Sequence, residues 1–197
     1  MIAKKWGVAM ANRVDIPFSN EHFMAFCRRF VGQPFWYGAC CQKATAALLA
    51  QKAAQYPAQY TPDRMARCRR DIANGAVVAD CIGAAKGYAW SGGGSGIFQS
   101  IGTAAEIALR PNTNGCPDKG ADAMFLYAQK IGMAAGRIDT LPEIVGIALR
   151  KPGHTAYYLG HGEVIEWRGF DLGCTRSAIL NRGFTHWYKL PFIRYQP

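Results

Sequence analysis

Apolar positions in the first third of the chain recur at helical spacing. In SNEHFMAFCRRFVGQP, Phe23, Phe26, Cys27, Phe30 and Val31 share one stripe, Ser19 or Asn20 can cap the start, and Gly32 with Pro34 ends the run. These phenylalanines read as core packing. After a turn at PFWYGACCQ, the alanine- and leucine-rich QKATAALLAQKAAQY predicts a second helix, broken at YPAQYTP. DRMARCRRDIAN predicts a third, ending at Gly75. Residues 77–90 begin extended and continue as a helix, and ADAMFLYAQKIG predicts a short one stopped by Gly132. SGGGSGIF and Asn112–Lys119 read as loops.

From Pro142 onward the pattern shifts to alternation. EIVGIALR, HTAYYLG, EVIEWRG and THWYKLPFIRY predict strands separated by glycine and proline. Helices first and an antiparallel sheet afterwards give an α+β layout, read as a single domain over 1–197 with a helical insertion at about 39–76.

The chain has 197 residues, half of them apolar, enough for a substantial core. No apolar run reaches the roughly 18 residues of a membrane span. The start, MIAKKWGVAMANRVDIPF, reads as lacking a signal peptide, so another route must carry the protein to any site outside the cytoplasm. The net charge of +10 favours polyanions. No nucleic-acid-binding motif accompanies it, and the basic residues are spread out apart from Arg64, Arg67, Arg69 and Arg70. The carboxylates and phosphates of a bacterial wall fit the charge equally well. Seven irregularly spaced cysteines argue against a disulfide framework, and no paired CxxC marks a zinc site. The expected picture is reduced, buried thiols, with no metal and no organic cofactor.

One of those thiols is placed differently. In VADCIGAAKGYAW, Cys81 follows Asp80 at an expected helix start, where Asp80 can cap the first turn and free N–H groups favour a thiolate. On its own such a cysteine reads more readily as an inert core residue. Gly83, Ala84 and Ala85 suit a helix packed tightly on a sheet. His154 opens the strand HTAYYLG, and Glu166 lies on the next strand. A three-residue loop, Gly160-His161-Gly162, would pair Leu159 with Glu163 and Ala156 with Glu166, which puts Glu166 on the face of His154. A two-residue loop would put them on opposite faces. On the first register His154 serves as base to Cys81 and Glu166 orients the ring. His161 then reads as an exposed turn residue, His186 as structural, and His22 as part of the first helix. Tyr157, Tyr158 and Trp167 are expected to fill core or line the cleft.

In this order the pieces GQPFWYG, ADCIG, LPEIVGIALRKPGHTAYYLGHGEVIEWRG and RGFTHWYKLPFIRY resemble the NlpC-type family of cell-wall cysteine peptidases, from about Gly32 to the C-terminus. The resemblance implies a papain-like fold, with a nucleophile-bearing helix packed on a small antiparallel sheet. It also implies hydrolysis of peptidoglycan stem peptides, typically between D-glutamate and a diamino acid. Cys81 would be the nucleophile, His154 the base and Glu166 the third member, a position more often histidine in the family. Ile82 stands where the family commonly has serine. Phe35 falls where the family has a tyrosine on the substrate or oxyanion side, with Tyr37 as a substitute. Asp80, Phe35 and Tyr37 are the candidate substrate-side residues, and Arg168 and Arg182 are candidates for meeting substrate carboxylates. A phage-type lysin fits the resemblance. The alternatives are a related cysteine amidase or acyltransferase, or a non-catalytic wall-binding or phage structural module.

Overall fold

The computed structural model describes residues 17–97 and 109–196. The N-terminal stretch read for a leader and Phe98 of the glycine loop lie outside them. The α+β layout expected from the sequence is the one observed, with the segment carrying residue 81 packed beside an antiparallel sheet.

Helix α1 (Asn20–Arg28) starts at Ser19, whose side chain accepts from the backbone N–H of His22. Its stripe of Phe23, Phe26 and Cys27, continued by Phe30, is buried as expected. Val31 is not: the helix ends before it, and the residue is 48% exposed.

The expected second helix starts late. Cys40–Lys43 forms strand β1, and α2 (Ala46–Gln55) follows from Thr45, whose hydroxyl accepts from the N–H of Leu48. Helix α3 (Pro62–Ala73) has proline in its first turn, where no N–H is needed. Strand β2 (Val77–Ala79) pairs antiparallel with β1. The segment read as an insertion forms a helical pair hung on a two-stranded ribbon. It closes over its own small core of Trp36, Leu48, Leu49, Tyr60, Cys68 and Val78.

Helix α4 (Gly83–Trp90) is buried along its whole length, which is why its sequence shows no polar face. Two glycines on one side set its depth. A Cβ on Gly83 would lie 1.9 Å from the carbonyl oxygen of Ala39, and one on Gly87 2.5 Å from that of Cys40. Behind α4 the glycine loop folds back as a cap: the N–H groups of Gly93 and Gly94 both donate to the carbonyl of Tyr88. Helix α5 (Ala121–Lys130) packs on the large sheet.

That sheet has six antiparallel strands in the order β3-β8-β4-β5-β6-β7. They are β3 (Ala135–Arg137), β4 (Ala148–Lys151), β5 (His154–Gly160), β6 (Glu163–Trp167), β7 (Cys174–Ala178) and β8 (His186–Tyr188). Strand β4 keeps only the last part of EIVGIALR, and β8 only the first part of THWYKLPFIRY, because residues on either side turn away at Gly146 and Pro191. Strands β1, β3 and β7 were not expected from the sequence. Ala148, Tyr157 and Ile165 meet the main core with α4, while Leu149, Ala156 and Val164 join a second core with Phe184. The sheet is thus covered on both faces.

Among the described residues no helix is long and apolar enough to cross a membrane. All seven cysteines are buried and free.

Candidate active site

The β5–β6 hairpin corrects the expected loop and keeps the expected register. His161 and Gly162 alone turn the chain, both at positive φ (53° and 73°), as a two-residue hairpin loop requires. Leu159 bulges out of the ladder between Tyr158↔Val164 and Gly160↔Glu163. That extra residue restores the alternation that the short loop would have inverted, so His154 and Glu166 share a face after all. Pairing stops at Tyr157↔Ile165, one step short of the expected Ala156↔Glu166 pair.

Across this unpaired end, His154 Nε2 lies 2.9 Å from Glu166 Oε2. Glu166 is fully buried (0% exposed) and also takes both arms of Arg182, Nε to Oε1 and Nη2 to Oε2, each at 2.9 Å. Burial by itself would raise its pKa. The hydrogen bonds from His154, Arg182 and Ser177 outweigh that and hold the carboxyl well below the usual range. An ionised Glu166 can only accept, so Nε2 of His154 carries the proton it donates. Arg182, read from the sequence as a partner for substrate, is committed to Glu166 instead.

Cys81 sits in the turn between β2 and α4, so the regular helix begins at Gly83, slightly later than expected. Asp80 caps this turn. Its Oδ1 accepts from the N–H groups of Ile82 (3.1 Å) and Gly83 (2.6 Å), and its Oδ2 from that of Gly38 (2.8 Å). Its carboxylate thus holds the turn through three backbone amides, and the residue also lines the cleft. The hydroxyl of Tyr157 donates to the carbonyl of Cys81 at 2.7 Å, which ties the turn to β5. Tyr157 and Trp167 are fully buried and Tyr158 nearly so, and Trp167 also reaches the cleft wall, as expected.

Cys81 is buried (9% exposed as a residue), and its thiol pKa is pushed up to about 12, first by burial and then by the charge of Asp80. The backbone N–H of Thr155 opposes this. The amides of Ile82 and Cys81 at the helix start also pull the thiol pKa down, but burial and the Asp80 charge outweigh them, so the expected thiolate is not favoured.

Cys81 and His154 line one cleft of about 270 Å³, together with Phe35, Tyr37, Lys151 and Arg168. Among the described residues no hydrogen bond joins the sulfur to the ring. Phe35 is buried edge-to-face against Phe170, with ring centroids 5.3 Å apart. Tyr37 is 39% exposed and packs on Tyr56 of the insertion. The insertion thus reaches the cleft rim. Tyr60 and Arg64 both pack on Phe170, and Arg67 pairs with Asp171 at 2.6 Å, bracing the loop that begins at Arg168.

The remaining histidines stand apart. His161 is exposed in its turn, His186 packs against Phe125, and Nδ1 of His22 bonds the hydroxyl of Tyr88. Lys151 and Thr155 carried no signal in the sequence beyond their nearness to His154. Among the described residues no group of His, Cys, Asp and Glu is arranged to hold a metal ion.

One solved structure similar to this chain is that of the peptidoglycan hydrolase RipB from Mycobacterium tuberculosis. The two share 17% sequence identity at a TM-score of 0.45, over 89% of this chain and 65% of that one. The chain thus spans less than two thirds of that protein's length. No family model matches the chain, and neither does any curated protein sequence.

Proposed function

We infer that the protein is a cysteine peptidase that cuts peptide stems of bacterial peptidoglycan, at the bond between D-glutamate and the diamino acid, through a thioester on Cys81. The observation that carries this reading is a single cleft lined by a cysteine and a histidine, the histidine's far nitrogen tied to a buried, ionised carboxylate. The motif order from Gly32 onward, which resembles the NlpC-type peptidases, supplies the substrate class. The charge of +10 suits a polyanionic wall.

With its pKa raised by burial, Cys81 rests as a thiol in the same cleft as His154. Nδ1 of His154 takes the thiol proton as Sγ attacks the scissile carbonyl carbon. The carbonyl oxygen becomes an oxyanion, met by the backbone N–H of Cys81. The imidazolium then gives its proton to the leaving nitrogen and the C–N bond breaks, leaving the acyl group on sulfur. Water, deprotonated by the same ring, attacks the thioester, and the thiol is restored as the acid departs. Glu166 stabilises the imidazolium in both halves, and Arg182 keeps Glu166 ionised and oriented. Asp80 positions the turn, and Phe35 and Tyr37 wall the acyl side. The enzyme acts on the bacterial cell wall.

The test is mass spectrometry of soluble fragments from purified peptidoglycan. The wild type is expected to release fragments with a new amino end at the diamino acid, and Cys81→Ala none. Fragments cut only in the sugar chain, or equal release by Cys81→Ala, would overturn the reading.

A further inference from the structure

We propose that Lys151 and Arg168 form a carboxylate-binding subsite on the leaving-group side of the cleft. This rests on the peptidase reading for what leaves, but not for the site itself.

Lys151 is the direct cross-strand partner of His154 between β4 and β5, so the two side chains rise from the same face at the same end of the sheet. The nitrogen that receives the proton of His154 is the leaving amine. A group beside His154 on that strand pair therefore touches the fragment carrying that amine.

At this corner of the cleft three cations, Lys151, Arg168 and Arg182, share one carboxylate, Glu166. Of the two carboxylates at the cleft, Asp80 has given its oxygens to three backbone amides, and Glu166 has given its own to His154 and both arms of Arg182. Arg168 approaches Glu166 only to 3.9 Å, beyond hydrogen-bond reach. Lys151 donates to the carbonyl of Arg182 at 3.2 Å and lies over the ring of Phe184, 5.6 Å from its centroid. Neither contact neutralises an ammonium, and further N–H donors remain on both side chains. Burial, then the neighbouring charge of Arg182, pulls the Lys151 pKa down; Glu166 opposes this only in part, and Arg168 adds to the repulsion. An anion between the two relieves it.

A planar carboxylate suits this pair. Arg168 offers a fork that can grip both oxygens, and Lys151 adds a point charge from the opposite strand. The ligand class is a leaving fragment whose amine-bearing residue carries a free carboxylate of its own.

The probes are two tripeptides of alanine, γ-linked D-glutamate and diaminopimelate, identical except that the diaminopimelate carboxylates are free in one and carboxamides in the other. Affinity is measured by calorimetry on the full chain carrying Cys81→Ala, so that nothing is turned over. The free acid is expected to bind about tenfold more tightly than the amide. Adding Lys151→Gln or Arg168→Gln should bring the two peptides to near-equal affinity, while Arg168→Lys retains part of the preference. Equal affinities in the parent protein would overturn the subsite, as would a preference that survives both glutamine changes. Cleavage of the same peptides by the wild type is read separately. Carboxylate-dependent binding without cleavage keeps the subsite and rejects the peptidase reading. Cleavage with carboxylate-blind binding does the reverse.

Discussion

The wall of the cleft that carries Cys81 and the wall that carries His154 hold their residues by different forces. On the first, shape does the work. Helix α4 lies so close to β1 that Gly83 and Gly87 leave no room for a methyl group, and every residue from Gly83 to Trp90 is buried. On the second, charge does it. A fully buried carboxylate is held by an arginine fork and an imidazole, with a lysine and a second arginine nearby. Packing fixes where the sulfur is but works against its ionisation, since burial and Asp80 both raise the thiol pKa. On the proposed mechanism the charged wall supplies what the packed wall lacks, a base held against a buried carboxylate. Neither wall has the makings of a catalyst alone.

The comparison breaks most completely at the sulfur. Cys81→Ala is expected to remove turnover altogether while leaving thermal unfolding nearly unchanged, since it deletes one atom from a turn held by Asp80. Fragment release from peptidoglycan and a melting curve check both halves. His154→Ala should lower the rate by about 10²–10⁴-fold, the usual worth of a positioned acid–base group. Glu166→Gln should cost less than His154→Ala, because it keeps the ring in place and removes only the stabilisation of its charge. Equal and negligible effects of these two would detach both residues from catalysis.

The packed wall is tested through stability. Gly83→Ala forces a methyl group against the carbonyl of Ala39 and is expected to cost about 1–3 kcal/mol in denaturant unfolding. Gly120→Ala, at a position with open space and φ of −71°, is the control and should change little. A Gly83→Ala protein as stable as the control would mean that α4 is not seated by that contact.

The smallest expected effect lies in acid. Glu166 is held well below its ordinary value of 4.5 in the folded protein, so its contribution to stability is complete above about pH 4.5. It is lost as pH falls towards the lower folded value, because the unfolded chain takes up the proton first. Unfolding free energy measured from pH 6 to pH 3 should fall more steeply for the wild type than for Glu166→Gln.

How much of this was legible follows from where each signal lies. The stripes of α1 and α5 and the alternation of β5 and β6 are local, and the sequence displays them directly. So are the three chemistry-bearing side chains, because their motifs are short and ordered. Strand β1 was hidden because its partner β2 lies beyond the whole insertion, and the alanines after Thr45 drew Gln42 and Lys43 into an apparent helix. Thr45 itself was the available signal, a threonine at the head of the helical run. Strand β7 alternates buried and exposed positions only weakly, as a sheet edge does. The hairpin shows how a local rule can mislead: the two-residue loop alone would have separated His154 from Glu166, and only the bulge at Leu159 reunites them. Arg182 leaves no local trace of its role, since it reaches Glu166 from a loop beyond β7. The raised thiol pKa was equally hidden, because it depends first on how the fold buries Cys81 and then on how near it brings the Asp80 charge.

The most direct test of the two-wall account is the rate at which iodoacetamide modifies Cys81, followed by peptide mapping from pH 5 to pH 10 in the wild type and in His154→Ala. The account expects reaction at Cys81 near neutral pH in the wild type, slowed at least about tenfold without the imidazole, with the six other buried thiols slow in both. Equal rates at Cys81 in the two proteins would mean that the sulfur and the ring do not work together.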